Sequence, residues 1–371
     1  MASATPLRAA DIEDIMYGAC LLGSGGGGPL GIGRMLHAYL STCTVLMADP
    51  LSDLADDAMA AVVLAIGAGD AHVEGESPLD ILMQSFDALN ALHGGKISHV
   101  MSGEMGAGSS LVPMVVAAAR GIPVLDAAGA SRAVPALNMT AFASAGIPIA
   151  PVVVVNMHGE SSTLTPENAE DAERQLRALV QQPKWDNGAA VACWAMSGET
   201  IKRVAIRGML SQAAALGKSL RLARADGRDP AEAVSAQLHG RVMARGRLHL
   251  TWSGEQGGFE AGSAFVEQAD NQPVLIVRFT NETLLFWTTK NNKRPLLTAP
   301  DMICYMSMSS GLPFTNADLA QMETSGEQVA IIGAPSPKEM YAPSILSAFE
   351  EKFRALGYQG PPVLYSDNQG S

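Results

Sequence analysis

A chain of 371 residues, 47% hydrophobic and 17% charged, can bury two cores and is too apolar to be disordered. Its 25 basic against 37 acidic residues leave a net charge of -12, and the densest cationic stretch, Lys290 to Arg294, is too slight to grip a nucleic-acid backbone. Four cysteines (Cys20, Cys43, Cys193, Cys304) without paired spacing argue against a disulfide framework or zinc knuckle. No run of ~18 apolar residues could span a membrane. The N-terminus lacks the basic-then-apolar layout of a signal peptide, so a cytoplasmic protein is expected.

In chain order, Asp11 to Leu22 carries apolar residues at helical spacing and runs into Gly23-Ser24-Gly25-Gly26-Gly27-Gly28, followed by a second helix to about Tyr39. The glycines fit G-x-G-x-x-G, but a helix precedes them where a dinucleotide fingerprint needs a strand, so that reading fails. Two uses stay open: a helix-helix connector, or a seat for an anion or carboxylate in which Ser24, Gly25, Gly26, Gly27 and Gly28 offer backbone N–H groups. Strands are expected at Thr44–Ala48 and Ala60–Ile66, the latter ending in a loop with Asp70 and His72. An amphipathic helix is expected at Leu79–Leu92, a short helix at Asn138–Ala145 and an apolar strand at Ile147–Asn156.

Farther on, the pattern gives a charged helix over Pro166–Val180 with Thr165 as its cap, a buried strand over Ala189–Met196, a long helix over Ile201–Ala223 and a shorter one over Asp229–Leu238. Short β segments then crowd together at Val242–Leu250, Phe259–Glu267, Val274–Phe279, Leu284–Thr289, Met302–Met308 and Val329–Gly333, and a helix follows at Ile345–Leu356. Gly254 to Gly262 reads as a hairpin or as a lid over a neighbouring domain. The expected architecture is a three-layer α/β domain with a mostly parallel sheet over residues 1–165. A C-terminal domain over 166–371 would hold helices and an antiparallel β-barrel-like module at about 241–335.

The stretch from Ser98 to Arg132 concentrates the chemistry. It alternates strand, glycine loop, helix, strand and glycine loop, with Glu104 in the first loop and Asp126 at the second. Parallel strands would open both loops at one carboxyl edge of the sheet, where such sheets bind ligands. Two neighbouring carboxylates can divide into acid and base, or share a divalent cation; alternatively each caps a helix. Arg132 can clamp a substrate carboxylate or form a surface ion pair. Ser109 and Ser110 suit helix caps, with Ser109 also placed to meet a substrate, and Asn138 and Thr140 can face the same mouth or serve turns. No local histidine pairing implies zinc, and no motif requires a cofactor. The low charge makes a homo-oligomer plausible.

The runs at 23–28, Gly103-Glu104-Met105-Gly106, and Asp126 to Arg132 followed by Pro135 to Thr140 resemble the S-methyl-thiohydantoin desulfurase family, often found beside hydantoinases. Ala205 to Ser211, Gly257-Gly258-Phe259, Thr280-Asn281-Glu282 and Pro300 to Ile303 extend the resemblance over about residues 9 to 335. It implies an N-terminal α/β domain, a C-terminal β-barrel, and hydrolytic loss of a thiol from a thiohydantoin ring carrying a propionate arm. Two positions depart from that family's pattern: Ala128 stands where a second acid is usual, and Ser131 where glycine is usual. The expectation is therefore a hydrolase of thiohydantoin or hydantoin rings acting on a small carboxylate-bearing substrate, with Glu104 or Asp126 as base. A non-catalytic partner of a hydantoinase and a small-carboxylate-binding protein are the alternatives.

Overall fold

The computed structural model describes residues 4–67, 78–185, 188–256, 259–269, 273–290 and 294–368; Asp70 and His72 lie outside them. The chain opens with β1 (Thr5–Leu7), α1 (Ala9–Leu22), α2 (Leu30–Leu40) and β2 (Val45–Ala48). Strands and helices then alternate through β3 (Met59–Gly67), α3 (Pro78–Leu92), β4 (Ile97–Ser102), α4 (Val112–Arg120) and β5 (Val124–Ala128). A 3₁₀ turn at Leu137–Met139 leads to α5 (Ala141–Ser144), β6 (Val152–Asn156), β7 (Ser161–Leu164) and α6 (Ala169–Val180). Next come β8 (Gly188–Ser197), α7 (Gly198–Val204), β9 (Ile206–Arg207), α8 (Met209–Ala225) and α9 (Pro230–Gln237). The remainder is β10 (Arg241–Gln256), β11 (Phe259–Glu267), β12 (Leu275–Thr280), β13 (Glu282–Thr288), β14 (Leu297–Thr298), β15 (Met302–Ser307), β16 (Pro313–Phe314), α10 (Leu319–Thr324), β17 (Gln328–Ala334) and α11 (Pro343–Ala355).

The first sheet has the order β1-β2-β5-β4-β3-β8-β6-β7, with β9 on β5. Its centre, β2-β5-β4-β3, is parallel, and the flanking strands are antiparallel. Buried on both faces, β3 sends Ala61 and Val63 into one core and Ala60 and Val62 into the other. The first core holds α1, α3, α4 and α8, the second α6 and α7, which gives the three expected layers. β8 joins this sheet from beyond residue 165. The second sheet, β14-β13-β12-β11-β10-β17-β15-β16, is antiparallel throughout, and no pair among the described residues joins β14 to β16. No helix among the described residues is long and apolar enough to cross a membrane.

Two local expectations are corrected. The helix expected over Ile201–Ala223 is interrupted: α7 stops at Val204, β9 pairs with β5, and α8 starts after Gly208 in the left-handed region. The tertiary demand for β9 against β5 overrides helical spacing. Likewise α6 starts at Ala169, and its cap is Asn168, whose side chain accepts from the Asp171 N–H, in place of Thr165. At the 254–262 hairpin, β10 and β11 pair from Arg247↔Glu267 to Gln256↔Phe259, and the connecting residues 257 and 258 lie outside the described set.

α1 and α8 cross at contact distance because glycines face each other's backbone. A Cβ on Gly18 would lie 1.8 Å from the Ala213 carbonyl oxygen, and one on Gly217 would lie 1.9 Å from that of Asp14. Gly31, by contrast, has open space around its Cβ position in α2. Gly18→Ala should therefore destabilise the fold by at least about 1–3 kcal/mol through overpacking, whereas Gly31→Ala should be neutral or stabilising by up to ~1 kcal/mol. Chemical denaturation of the two variants checks the contrast.

Candidate functional site

β4 and β5 run parallel, with Ser102 opposite Ala128, so the loop after β4 emerges at the carboxyl edge. Gly103 through Ser110 turn there, and Glu104 is half-buried within it. Its Oε1 accepts from the Ser109 hydroxyl at 2.9 Å and its Oε2 from the Val134 N–H at 2.9 Å. Ser109 thus serves the acid, while the Ser110 hydroxyl accepts from the Gly106 N–H; neither caps α4, whose N-terminal position is Leu111.

The second acid of the site comes from the other sheet. Glu282 opens β13, is 5% exposed, and its Oε2 is buried without a hydrogen-bond partner. Burial pushes its carboxyl from an ordinary 4.5 up to about 8, with the negative charge of Glu104 adding to the rise and Arg132 opposing it. Burial likewise pushes Glu104 up to about 7, against the Val134 and Ser109 hydrogen bonds; Glu173 raises it further and Arg132 lowers it. Two carboxyls in one low-dielectric site share protons as a pair.

Arg132 lies beside both acids and is fully buried. Its guanidinium is committed to backbone: Nε donates to Ala133 O at 3.1 Å, Nη1 to Asp301 O at 2.7 Å and Nη2 to Thr283 O at 2.6 Å. Burial lowers its pKa only to about 10, so it stays cationic at neutral pH. Those bonds give it the role of a bracket between the loop after β5 and the second sheet, in place of the expected clamp or surface ion pair.

The glycine run packs between these parts. A Cβ on Gly106 would stand 2.4 Å from Gly27 Cα, one on Gly26 2.6 Å from Glu282 Oε1, and one on Gly25 2.5 Å from Thr283 Oγ1. Its carbonyls reach across to neighbouring loops: Ser24 O accepts from Thr283 N–H, Gly25 O from Asn316 N–H, and Gly27 O from the N–H groups of Gly108 and Ser109, while the Ser24 and Gly26 N–H groups turn back to Leu21 O and Gly23 O. Ser24 is buried with φ 46°, Gly25, Gly27 and Gly28 also have positive φ, and Gly28 is exposed at the rim. The run therefore acts as close-packed floor and seam.

Asp126 is engaged by α8. It sits within β5, where its Oδ1 accepts from Leu210 and Ser211 N–H and its Oδ2 from the Ser211 hydroxyl, so that it covers the N-terminus of α8. Asn138 belongs to the 3₁₀ turn, with its Oδ1 buried and unpartnered. Thr140 caps α5, accepting from Ala143 N–H. No group of three or more metal-ligating side chains occurs among the described residues, and the pair at hand, Glu104 and Glu282, is accompanied by a cation that already offsets charge there.

Glu282 escaped the sequence reading as an acid of the site, although it heads the apolar run Leu284 to Trp287 and follows Asn281 at φ 54°. A carboxylate starting a wholly buried strand was the available signal.

Family models match the two parts of the chain: the S-Me-THD-like N-terminal domain over residues 10–166 and the S-Me-THD-like C-terminal domain over residues 167–359. Among solved structures, the X-ray structure of a protein from Chromobacterium violaceum is similar, with 28% identity and a TM-score of 0.82 over 97% of this chain and 99% of that one. No curated protein matches.

Asp126→Ala should lower stability by about 1–2 kcal/mol through loss of the α8 cap, measurable by denaturant titration. Because Glu282 titrates higher in the fold than in the unfolded chain, the ionisation-linked part of its burial cost is absent below about pH 4.5 and grows as pH rises toward 8. Glu282→Gln should then raise Tm over wild type increasingly from pH 5 to pH 8, by about 2–4 °C per kcal/mol gained. A thermal-melt series across that range reads the slope.

Proposed function

The chain belongs to the S-Me-THD-like family, and from that premise we propose that it hydrolyses an S-substituted thiohydantoin or a related hydantoin-type ring, releasing a thiol. The observation that carries this reading is the buried Glu104–Glu282 pair, with raised carboxyl pKa values and Arg132 alongside. Around neutral pH such a pair holds one proton, so one member is a base and the other an acid.

In the reaction, the oxygen of water bonds to the ring carbon that bears sulfur. The ionised glutamate takes a proton from that water, and the protonated one delivers a proton to the ring nitrogen or the departing sulfur. As the carbon–sulfur bond breaks a carbonyl forms; of the two protons of water, one ends on ring nitrogen and the other on the thiol. Glu104, half-buried and held by Ser109 and Val134, faces the substrate as base, and the more deeply buried Glu282 stores the proton. Arg132 holds the developing negative charge in check through space. Three Arg132 donors are already taken by carbonyls, so that guanidinium serves mainly to brace the site. The anionic arm of the small-molecule substrate is what the family resemblance implies.

The test is thiol release from an S-methyl thiohydantoin carrying a carboxylate arm, followed with a chromogenic disulfide reagent. Wild type should turn over with a bell-shaped pH profile, low when both glutamates are protonated and low again when both are ionised. Glu104→Gln should reduce kcat by about 10²–10⁴-fold. Equal turnover by Glu104→Gln would remove the base from the mechanism. Thermal-shift binding without turnover by wild type would favour a non-catalytic partner of a hydantoinase.

A further inference from the structure

Glu104 depends on a backbone donor in a segment without regular structure. Residues 130 to 136 run between β5 and the 3₁₀ turn, and the Val134 N–H is one of the two donors on the Glu104 carboxylate. One side of this segment is fixed by Arg132. The other is fixed by α6, which belongs to the C-terminal family domain. There Glu173 Oε2 accepts from the Leu137 N–H at 3.1 Å, and its Oε1 meets Arg177 Nε at 2.6 Å. Arg177, one helical turn on, donates through Nη2 to Pro135 O at 3.3 Å. Two side chains at i and i+4 thus staple the segment at Pro135 and Leu137, immediately after Val134.

We infer that Glu173 and Arg177 are positioning residues for Glu104, acting through the backbone of residues 134–137. The inference rests on the role given to Glu104 above and extends it to side chains that do not touch that carboxylate in a hydrogen bond. Glu173 acts on Glu104 in two opposed ways. Its charge raises the Glu104 carboxyl, while its grip on Leu137 keeps the Val134 N–H in place, and that N–H lowers it more strongly. The other groups facing the pair are Arg132, Glu282 and, around Glu282, Arg177 and Lys352.

These opposed effects make substitutions separable. Glu173→Gln keeps an acceptor for Leu137 and removes the charge, so the Glu104 carboxyl should titrate lower than in wild type. Glu173→Ala removes both, frees the segment, and should raise it by about half a unit or more. Leu137→Pro deletes the same N–H while leaving the Glu173 charge, and should also raise it. The titration is read without substrate, by difference infrared or carbon-13 NMR of the carboxyl, assigned against Glu104→Gln in folded samples checked by thermal melts. In the thiol-release assay, Glu173→Ala should lose kcat by about 10–100-fold with KM little changed, and Glu173→Gln should stay near wild type. Shifts of Glu173→Ala and Glu173→Gln in the same direction, or no shift in either, overturn the inference. If wild type shows no turnover, the proposed reaction falls, and the titrations still decide the positioning role.

Discussion

The Arg132 guanidinium, with no exposed surface and three backbone carbonyls around it, is the constraint on which the rest of the site depends. Burying a cation is costly unless its hydrogen-bonding capacity and its charge are both met. Carbonyls from residues 133, 283 and 301 take three of its five N–H donors, and the nearby carboxyls of Glu282, Asp301 and Glu104 offset its charge. Asp301 is itself held by Ser336 N–H, the Tyr341 hydroxyl and Tyr365 N–H. Residues 169 positions apart in sequence are thereby fastened to one another, and the first sheet cannot shift against the second without stranding a charge.

That arrangement explains why two glutamates tolerate burial side by side. One positive charge among them lets one carboxylate ionise at modest cost, while a second ionisation meets repulsion and desolvation together. The acid–base difference thus follows from charge balance in a closed space. Each glutamate is also fixed by a different part of the chain, Glu104 by the loop after β4 and Glu282 by the start of β13.

Much of the first domain was legible from sequence because its signals are local. The apolar run of β3, the strand–loop–helix–strand order from Ser98 to Arg132 and the placement of Glu104 between glycines all depend on near neighbours. The outline of the second sheet was equally visible in its closely spaced apolar segments. Partnerships across the chain were harder to see. Asp126 resembles a catalytic acid in sequence, yet its carboxylate meets α8 some 84 residues onward, a pairing that no spacing rule contains. Glu282 has the reverse history: an acid opening an apolar strand marks it locally, but it lies 178 positions from Glu104, so its link to that acid emerges only once the two sheets are apposed. Gly208 was the local clue that the long helix breaks, and its left-handed backbone is what turns the chain into α8.

The seam where Gly27 meets Gly106 limits where this chain can be altered. Neither position can accept even a methyl group without prising the floor from the acid loop. Substitutions compatible with the fold are therefore steered away from this seam, toward residues 134–138 and the exposed faces of α6 and α11. A library that randomises those outer surfaces and leaves the seam untouched would keep the scaffold intact.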